Sequence, residues 1–317
     1  MTLQRLRNEL RCRYSYLLSL FGINSVRHMP TFVSIEPANY CSLRCPECPV
    51  GMANSRHGNR RKPQLMSWDT FCKTIDAVSA EAHTVIFHFQ GEPLLHPHLA
   101  GMIAYAHRKR LFTMLSTNGQ EMTENLAKTL RQAGLDRIIV SIDGLSEQSY
   151  NAYRVGGSLH KALDALRFAQ KAGIPERIMQ CLKLSTNEQE WPLFRQQYRA
   201  LGATRLELKT AQLYDYRNGH PLLPSRARDA RYIKGKDGLF HVKKRLHNHC
   251  FRLWSGCVVT VEGNVLPCCF DKQADHLFGN LDKRAFRDIW LGKTAAAFRH
   301  QVLHRRRTIP ICTNCTE

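Results

Sequence analysis

The sequence predicts an α/β protein in which parallel strands curve into a partial barrel, followed by a small cysteine-rich domain. Three observations predict it. From Thr31 to Thr210 a short β-branched or aromatic run, a loop and a helical pattern recur, the rhythm of parallel strands joined by helical crossovers. Polar or glycine-containing motifs follow each of the first four runs, so the unusual residues share one phase: the rim at the strands' carboxyl ends, where barrel enzymes carry their chemistry. Cysteines gather directly after the first run and again from residue 250 onward.

Residues 1–30 read as an amphipathic helical extension. Leu3, Leu6, Leu10, Tyr14, Leu17 and Phe21 recur at spacings of three and four, while Arg5, Arg7, Arg11 and Arg13 fall largely elsewhere. A basic amphipathic helix can lie on a membrane, but docking of the apolar face onto the protein's own body is the expectation. Cys12 has no partner in sequence.

The strand candidates are Phe32–Glu36, Thr84–Phe89, Phe112–Ser116, Arg137–Ile142, Arg177–Leu184 and Arg205–Lys209. Helical patterns cover Trp68–Ala80, Leu99–Arg108, Glu121–Ala133, Leu159–Ala172 and Gln189–Leu201. A doubly wound sheet would fit the same string, and the phase of the motifs selects the barrel. Gln90-Gly91-Glu92-Pro93 follows the second strand, Ser116-Thr117-Asn118-Gly119 the third, and Ser141-Ile142-Asp143-Gly144 the fourth. Taken singly, Asn-Gly and Asp-Gly are ordinary turn signals.

After the first strand comes Cys41-Ser42-Leu43-Arg44-Cys45-Pro46-Glu47-Cys48, a C-x3-C-x2-C spacing. Thiolate is the protein's soft ligand, and three on one short loop can hold three irons of a cubane while leaving the fourth open to a small molecule. A zinc site is the competing reading, with Cys312 and Cys315 available as further ligands.

The spacing resembles the signature of the radical S-adenosylmethionine (SAM) superfamily. Over about residues 31–215 the resemblance implies that family's partial (β/α)6 TIM-like barrel and a SAM-binding [4Fe–4S] cluster on Cys41, Cys45 and Cys48. It also implies reductive cleavage of SAM to a 5′-deoxyadenosyl radical. Glu47 departs from the pattern, which usually has an aromatic residue before the third cysteine and uses it near the adenine. The stretch Gln90, Gly91, Glu92, Pro93 looks like the family's GGEP motif, whose backbone and glutamate meet the SAM amino group. By the same resemblance Ser116 and Asn118 meet the ribose or carboxylate, and Ser141 and Asp143 line the neighbouring wall. Arg154 is implied to hold the SAM carboxylate or a substrate anion, unless it pairs with Glu147. Turn formation is the plain alternative for Asn118 and Asp143. His88, His96 and His98 are assigned no ligand role.

Residues 216–249 read as a basic linker with Arg226, Arg228, Arg231, Lys234, Lys236, Lys243, Lys244 and Arg245; interleaved Tyr232 and Phe240 would suit nucleic-acid contact. In residues 250–317, Cys250-x12-Gly263-x4-Cys268 followed by Cys312-x2-Cys315 resembles the auxiliary-cluster region called SPASM, in its shorter twitch form. A hairpin of Val258–Val261 and Val265–Leu266 and a helix around Ala285–Trp290 fit the same resemblance. It implies one auxiliary [4Fe–4S] cluster on Cys250, Cys268, Cys312 and Cys315, with Cys257 and Cys269 as rivals for a place. Four thiolates would close the coordination sphere and suit electron transfer; a zinc ribbon of the same cysteines is the alternative.

Bulk properties bound the rest. With 317 residues and 43% apolar content the chain suits a globular enzyme. Twelve cysteines without a convincing secretory signal predict a reducing, cytoplasmic location, and Tyr14–Ile23 is too short to span a bilayer. A formal charge of +20, from 46 Lys and Arg against 26 Asp and Glu, points to an anionic partner. That class includes a peptide or protein, a phosphorylated or sugar metabolite, RNA, and an anionic membrane surface for peripheral contact. Enzymes that resemble this layout act on ribosomal peptides, sulfatase proteins or sugars. The expectation is an oxidoreductase that modifies a peptide, protein or sugar-like substrate and draws electrons from a flavodoxin or ferredoxin. An RNA-modifying radical SAM enzyme is the second reading, and a zinc-stabilised nucleic-acid-binding module without catalysis the reading from another class.

Overall fold

The computed structural model describes residues 2–52 and 55–316. In chain order the helices are α1 (Leu3–Leu20), α2 (Trp68–Val78), α3 (Leu99–Arg108), α4 (Glu124–Gln132), α5 (Glu147–Asn151), α6 (Leu159–Lys171), α7 (Trp191–Gln197), α8 (Phe251–Ser255), α9 (Phe286–Trp290), α10 (Lys293–Arg305) and α11 (Pro310–Thr313). The strands are β1 (Phe32–Ile35), β2 (Thr84–Phe87), β3 (Phe112–Thr117), β4 (Arg137–Ser141), β5 (Glu176–Lys183), β6 (Arg205–Thr210), β7 (Tyr232–Lys234), β8 (Phe240–Val242), β9 (Gly256–Val259), β10 (Asn264–Leu266) and β11 (Gly279–Asn280). All six predicted core strands and the five helical patterns between them are present. Period-two and period-3.6 patterns are local properties and survive into the fold.

The chain divides into two compact units, residues 1–39, 61–114 and 246–317 in one, residues 40–60 and 115–245 in the other. In the first unit the strand order is β11-β10-β9-β1-β2, ending on the first half of β3. β1 runs parallel to β2, with Phe32 opposite Thr84. On its other side β1 runs parallel to β9, with Phe32 opposite Gly256. A Cβ at Gly256 would lie 2.3 Å from the Phe32 ring, so only glycine fits there. β9 and β10 form the predicted antiparallel hairpin, Val265 opposite Val259, turning through Gly263 at φ +76°. The sequence reading had the hairpin but not its place beside β1, nor helix α10.

Helix α1 packs on the first unit with the opposite face from the one expected. Arg5, Asn8, Cys12, Ser15 and Ser19 are buried, whereas Leu3, Leu6, Leu10, Tyr14 and Leu17 are exposed. The reason lies in the ends of α2 and α3, whose last carbonyls lack intrahelical partners. Arg5 donates to Ser79 O (2.6 Å), to Lys109 O (2.7 Å) and to Arg110 O. One guanidinium thus closes two helix C-termini, where a cation also complements the helix dipole. Asn8 adds a reciprocal pair with the backbone of Met29, at 2.9 and 3.0 Å. No helix among the described residues is long and apolar enough to cross a membrane.

In the second unit β4, β5 and β6 are parallel neighbours, with Ser141 opposite Gln180 and Ile178 opposite Arg205. Helices α4 and α6 carry Thr123 and Ser158 as N-caps, each accepting a backbone N–H from the first turn. The stretch expected to be a loose linker contains the antiparallel pair β7–β8. Tyr232, read as an aromatic for nucleic-acid stacking, is a core residue instead. Its hydroxyl accepts from Leu213 N (2.8 Å) and donates to Leu213 O (3.0 Å), and its ring stacks on Tyr216 at 4.1 Å. It belongs to a cluster with Leu43, Tyr153, Leu184, Leu213 and Leu222.

Candidate active site

The cysteine loop lies in the second unit and is held there by its own side chains. Leu43, between the first two cysteines, is buried in the cluster around Tyr153 and Tyr232. Arg44 N donates to Val155 O (2.9 Å), Cys48 N to Cys45 O (3.2 Å) and Met52 N to Cys48 O (2.9 Å). Gly51 lets the loop fold back on itself, since a Cβ there would sit 2.4 Å from Cys45 O. Cys45 is buried, and Cys41 and Cys48 are half-buried.

N–H donors converge on these sulfurs. Asn118 Nδ2 donates to Cys41 Sγ at 3.4 Å, as does the backbone of Leu43. Arg154 Nη1 approaches Cys45 Sγ at 3.8 Å. Burial pushes the Cys45 thiol up, and Arg154 pulls it down. Such donors withdraw charge from thiolate sulfur and are how a protein tunes an iron–sulfur centre. Three thiolates on one loop, two of them hydrogen-bonded by fixed side chains, fit a cluster that binds SAM. Among the described residues no three His, Cys, Asp or Glu side chains stand close enough to hold one metal ion. Cubane ligands attach to different irons and stand farther apart than those of a single ion.

The rim residues of this unit have mixed duties. Asn118 both meets Cys41 and accepts Gln120 N at 2.9 Å, so it is a turn former and a sulfur neighbour at once. Asp143 is fully buried; its carboxylate accepts Arg154 Nε at 2.5 Å and Leu182 N at 2.6 Å. Asn187, which the sequence reading missed, donates to the Asp143 carbonyl at 2.8 Å. Nothing in the sequence distinguishes it from other loop asparagines. Arg154 therefore pairs with Asp143 and not Glu147, whose carboxylate instead caps α6 by accepting Leu159 N (3.1 Å). Burial works against the guanidinium's charge, but the Asp143 carboxylate and the Cys45 sulfur raise its pKa well above the ordinary value. Ser141 is buried at the end of β4, and Ser116 is half-buried in β3.

Glu47, the departure from the aromatic pattern, is a brace. Its carboxylate accepts Tyr214 N at 2.7 Å and faces His220 Nε2 at 3.2 Å, tying the cysteine loop to the segment after β6.

Gln90–Pro93 lies in the first unit. Gly91 takes φ +67°, which favours glycine, and Pro93 opens the short 3-10 turn that Glu92 caps by accepting Leu94 N at 3.0 Å. Gln90 Nε2 donates to Lys272 O at 2.7 Å.

The second cysteine group also lies in the first unit. Cys250, Cys268, Cys312 and Cys315 line one pocket whose other walls include Phe270, Phe298, Val302 and Ile311. Arg306 reaches it from the side, donating to Cys315 Sγ at 3.6 Å while its other arm holds His249 O at 2.5 Å. Burial pushes the Cys312 thiol up to about 11 and the Cys268 thiol well above the ordinary range. The rivals stand elsewhere: Cys257 is buried in β9, and Cys269 turns to Arg252 Nη1 at 3.7 Å. Four thiolates around one largely apolar pocket, with a guanidinium donating to sulfur, fit a fully ligated cluster.

The chain matches the radical SAM superfamily over residues 35–192. It matches the SPASM iron–sulfur cluster-binding domain over residues 250–316. It is 27% identical over 289 residues to a PqqA peptide cyclase of Granulibacter bethesdensis, a match covering 84% of this chain and 75% of that protein. It is 23% identical over 309 residues to an AdoMet-dependent heme synthase of Methanosarcina barkeri, covering 87% and 85%. Among solved structures, anSMEcpe with bound AdoMet has a TM-score of 0.66 at 18% identity, covering 86% of this chain and 84% of that one. Streptococcus suis SuiB has a TM-score of 0.66 at 12% identity, covering 93% and 72%. These two structures share the fold, and the matches favour the iron–sulfur reading over a zinc-stabilised module. The chain is an enzyme of the radical SAM superfamily, with SAM and a [4Fe–4S] cluster as cofactors and a SPASM-type auxiliary iron–sulfur domain.

Proposed function

We propose that this enzyme modifies a peptide or protein substrate. The observation that carries the proposal is the similarity to PqqA peptide cyclases, which spans 84% of the chain and not the SAM-binding core alone. In this reading Cys41, Cys45 and Cys48 hold the SAM-binding cluster, and Cys250, Cys268, Cys312 and Cys315 hold the auxiliary one. SAM and the reduced cluster, when bound, would supply one-electron radical chemistry able to activate a carbon–hydrogen bond of the substrate.

The protein's own residues position and tune. Asn118 and Arg154 donate to Cys41 and Cys45, and Arg306 to Cys315, each withdrawing charge from sulfur. Asp143 fixes the Arg154 fork, and Asn187 fixes Asp143. Gly91 and Glu92 serve the SAM amino group, with Gln90 and Pro93 shaping their turn, and Ser116 and Ser141 add polar wall.

A cavity of about 270 Å³ in the second unit, lined by Trp191, Arg195, Arg226 and Arg228, suits an acidic substrate side chain. Its two acidic residues are occupied, Asp229 by Lys183 at 2.6 Å and Glu188 by Ser225 N at 2.8 Å. The Arg226 guanidinium makes no hydrogen bond or ion pair among the described residues, while its backbone carbonyl accepts Asp229 N at 2.9 Å. A one-electron donor such as flavodoxin or ferredoxin, and a reducing cytoplasmic location suited to twelve unpaired cysteines, complete the reading.

The test is 5′-deoxyadenosine release by the anaerobically reconstituted, reduced enzyme with host lysate split by size. Stimulation by the macromolecular fraction that protease removes is the expected result. Stimulation by the small-molecule fraction alone would move the substrate to a sugar-like or phosphorylated metabolite. Loss to ribonuclease would move it to RNA.

A further inference from the structure

Helix α1 is bound to the protein by its polar face and turns its apolar face to solvent. At about 100° per residue, Ser15, Asn8, Ser19, Cys12 and Arg5 fall in one arc of about 80°, and all five are buried. Leu6, Leu17, Leu10, Leu3 and Tyr14 fall in an arc of the same width centred directly opposite. Their exposures are 41%, 54%, 58%, 63% and 65%, and Phe21, one turn beyond Leu17, is 81% exposed. A helix held only by hydrophobic burial would show the reverse pattern. Here hydrogen bonds from Arg5 and Asn8 to backbone carbonyls hold it, so the stripe is left out of the protein's own core.

The edges of the stripe are basic. Arg7 and Arg11 flank it on one side and Arg13 on the other, all exposed, while the helix's single acid, Glu9, is engaged by Arg13 at 2.7 Å. A ridge of leucines with tyrosine and phenylalanine, edged by arginines, is the composition of a helix that lies in the plane of a bilayer interface, apolar side down and cations at the phosphates. A second copy of the chain is the poorer occupant. It would bring the same arginines against themselves on a molecule carrying +20, whereas an anionic leaflet complements both the edge and the net charge.

We propose that α1 is a monotopic anchor that seats this enzyme on membranes bearing anionic lipid headgroups. The docked polar face sets the rotation of the helix, so the stripe is presented ready-made and needs no rearrangement to insert.

The test is co-sedimentation of the full chain with vesicles of phosphatidylcholine alone and of equal parts phosphatidylcholine and phosphatidylglycerol. Binding to the anionic vesicles, weakened by salt, is expected. The variant L6E/L10E/L17E leaves every buried α1 residue in place and should lose at least about tenfold in binding while keeping its helical circular dichroism. The variant R7Q/R11Q/R13Q should lose the preference for anionic over neutral vesicles. Wild-type protein that stays in the supernatant with anionic vesicles would overturn the proposal. So would wild-type protein that sediments as a dimer which L6E/L10E/L17E converts to monomer, since the stripe would then be a self-association surface.

Discussion

Replacing Arg154 by Met tests whether the Asp143–Arg154 pair is a structural unit behind the Cys41–Cys48 loop. The pair is close to ideal for a buried contact: Nε to Oδ2 at 2.5 Å, Asp143 fully buried, and the arginine side chain 14% exposed. Removing the arginine leaves the Asp143 carboxylate with Leu182 N as its remaining donor among the contacts described above. An uncompensated buried carboxylate costs about 3–5 kcal/mol, a large share of the roughly 5–15 kcal/mol that holds a domain together. Asn at position 143 keeps an acceptor for Leu182 N and carries no charge. The double variant R154M/D143N should therefore recover part of the loss, giving a coupling of about 1–3 kcal/mol in a double-mutant cycle. Urea denaturation of the metal-free proteins reads these differences without the cofactor. A loss below about 1 kcal/mol for R154M, or strictly additive single effects, would refute the assignment of Arg154 to Asp143.

Three further outcomes follow from the same geometry. Replacing Cys41, Cys45 and Cys48 by Ala should abolish SAM cleavage yet leave about half the iron of the reconstituted protein, and C312A/C315A should remove the other half; a cysteine-loop variant with no iron would sink the auxiliary-cluster assignment. Glu36 is fully buried and bridged by Arg61 at 2.6 Å; burial pushes its carboxyl up from 4.5 to about 7 in spite of that arginine. The folded state then holds a proton that the unfolded state has lost. Stability should fall as pH rises from about 4.5 to about 7, and E36Q should flatten the slope when the unfolding free energy is followed against pH. Gly256→Ala, which drives a methyl into the Phe32 ring at 2.3 Å, should cost about 1–3 kcal/mol by thermal unfolding. An unchanged Tm would mean that β1 and β9 are not packed as described.

Much of the candidate site was legible because it depends on order along the chain. Three cysteines on one loop and an asparagine before Gly119 in the second unit, and a glycine at φ +67° in Gln90–Pro93 of the first, are positional facts that a strand-and-loop rhythm puts just after strand ends. The duties of single side chains were not legible in the same way. Asp143 looked equally like a ligand contact and a turn former, and became the anchor of Arg154 because β5 supplies Leu182 N beside it. Glu47 looked like a missing aromatic, and became a brace because the segment after β6 offers Tyr214 N and His220.

The sequence by itself determined the six core strands, the helices between them, the hairpin at Gly263 and the gathering of six cysteines in the last segment. Side-chain period and turn chemistry act within a few residues, so they can be read before any distant contact is known. Only the tertiary structure decided that β9 lies beside β1, that Cys257 and Cys269 stand outside the four-cysteine pocket, and that Tyr232 belongs to the core. It also decided which face of α1 is buried. Hydropathy marks a helix's apolar side, but the ends of α2 and α3 present carbonyls that need donors, and Arg5 and Asn8 satisfy buried backbone in a way leucines cannot.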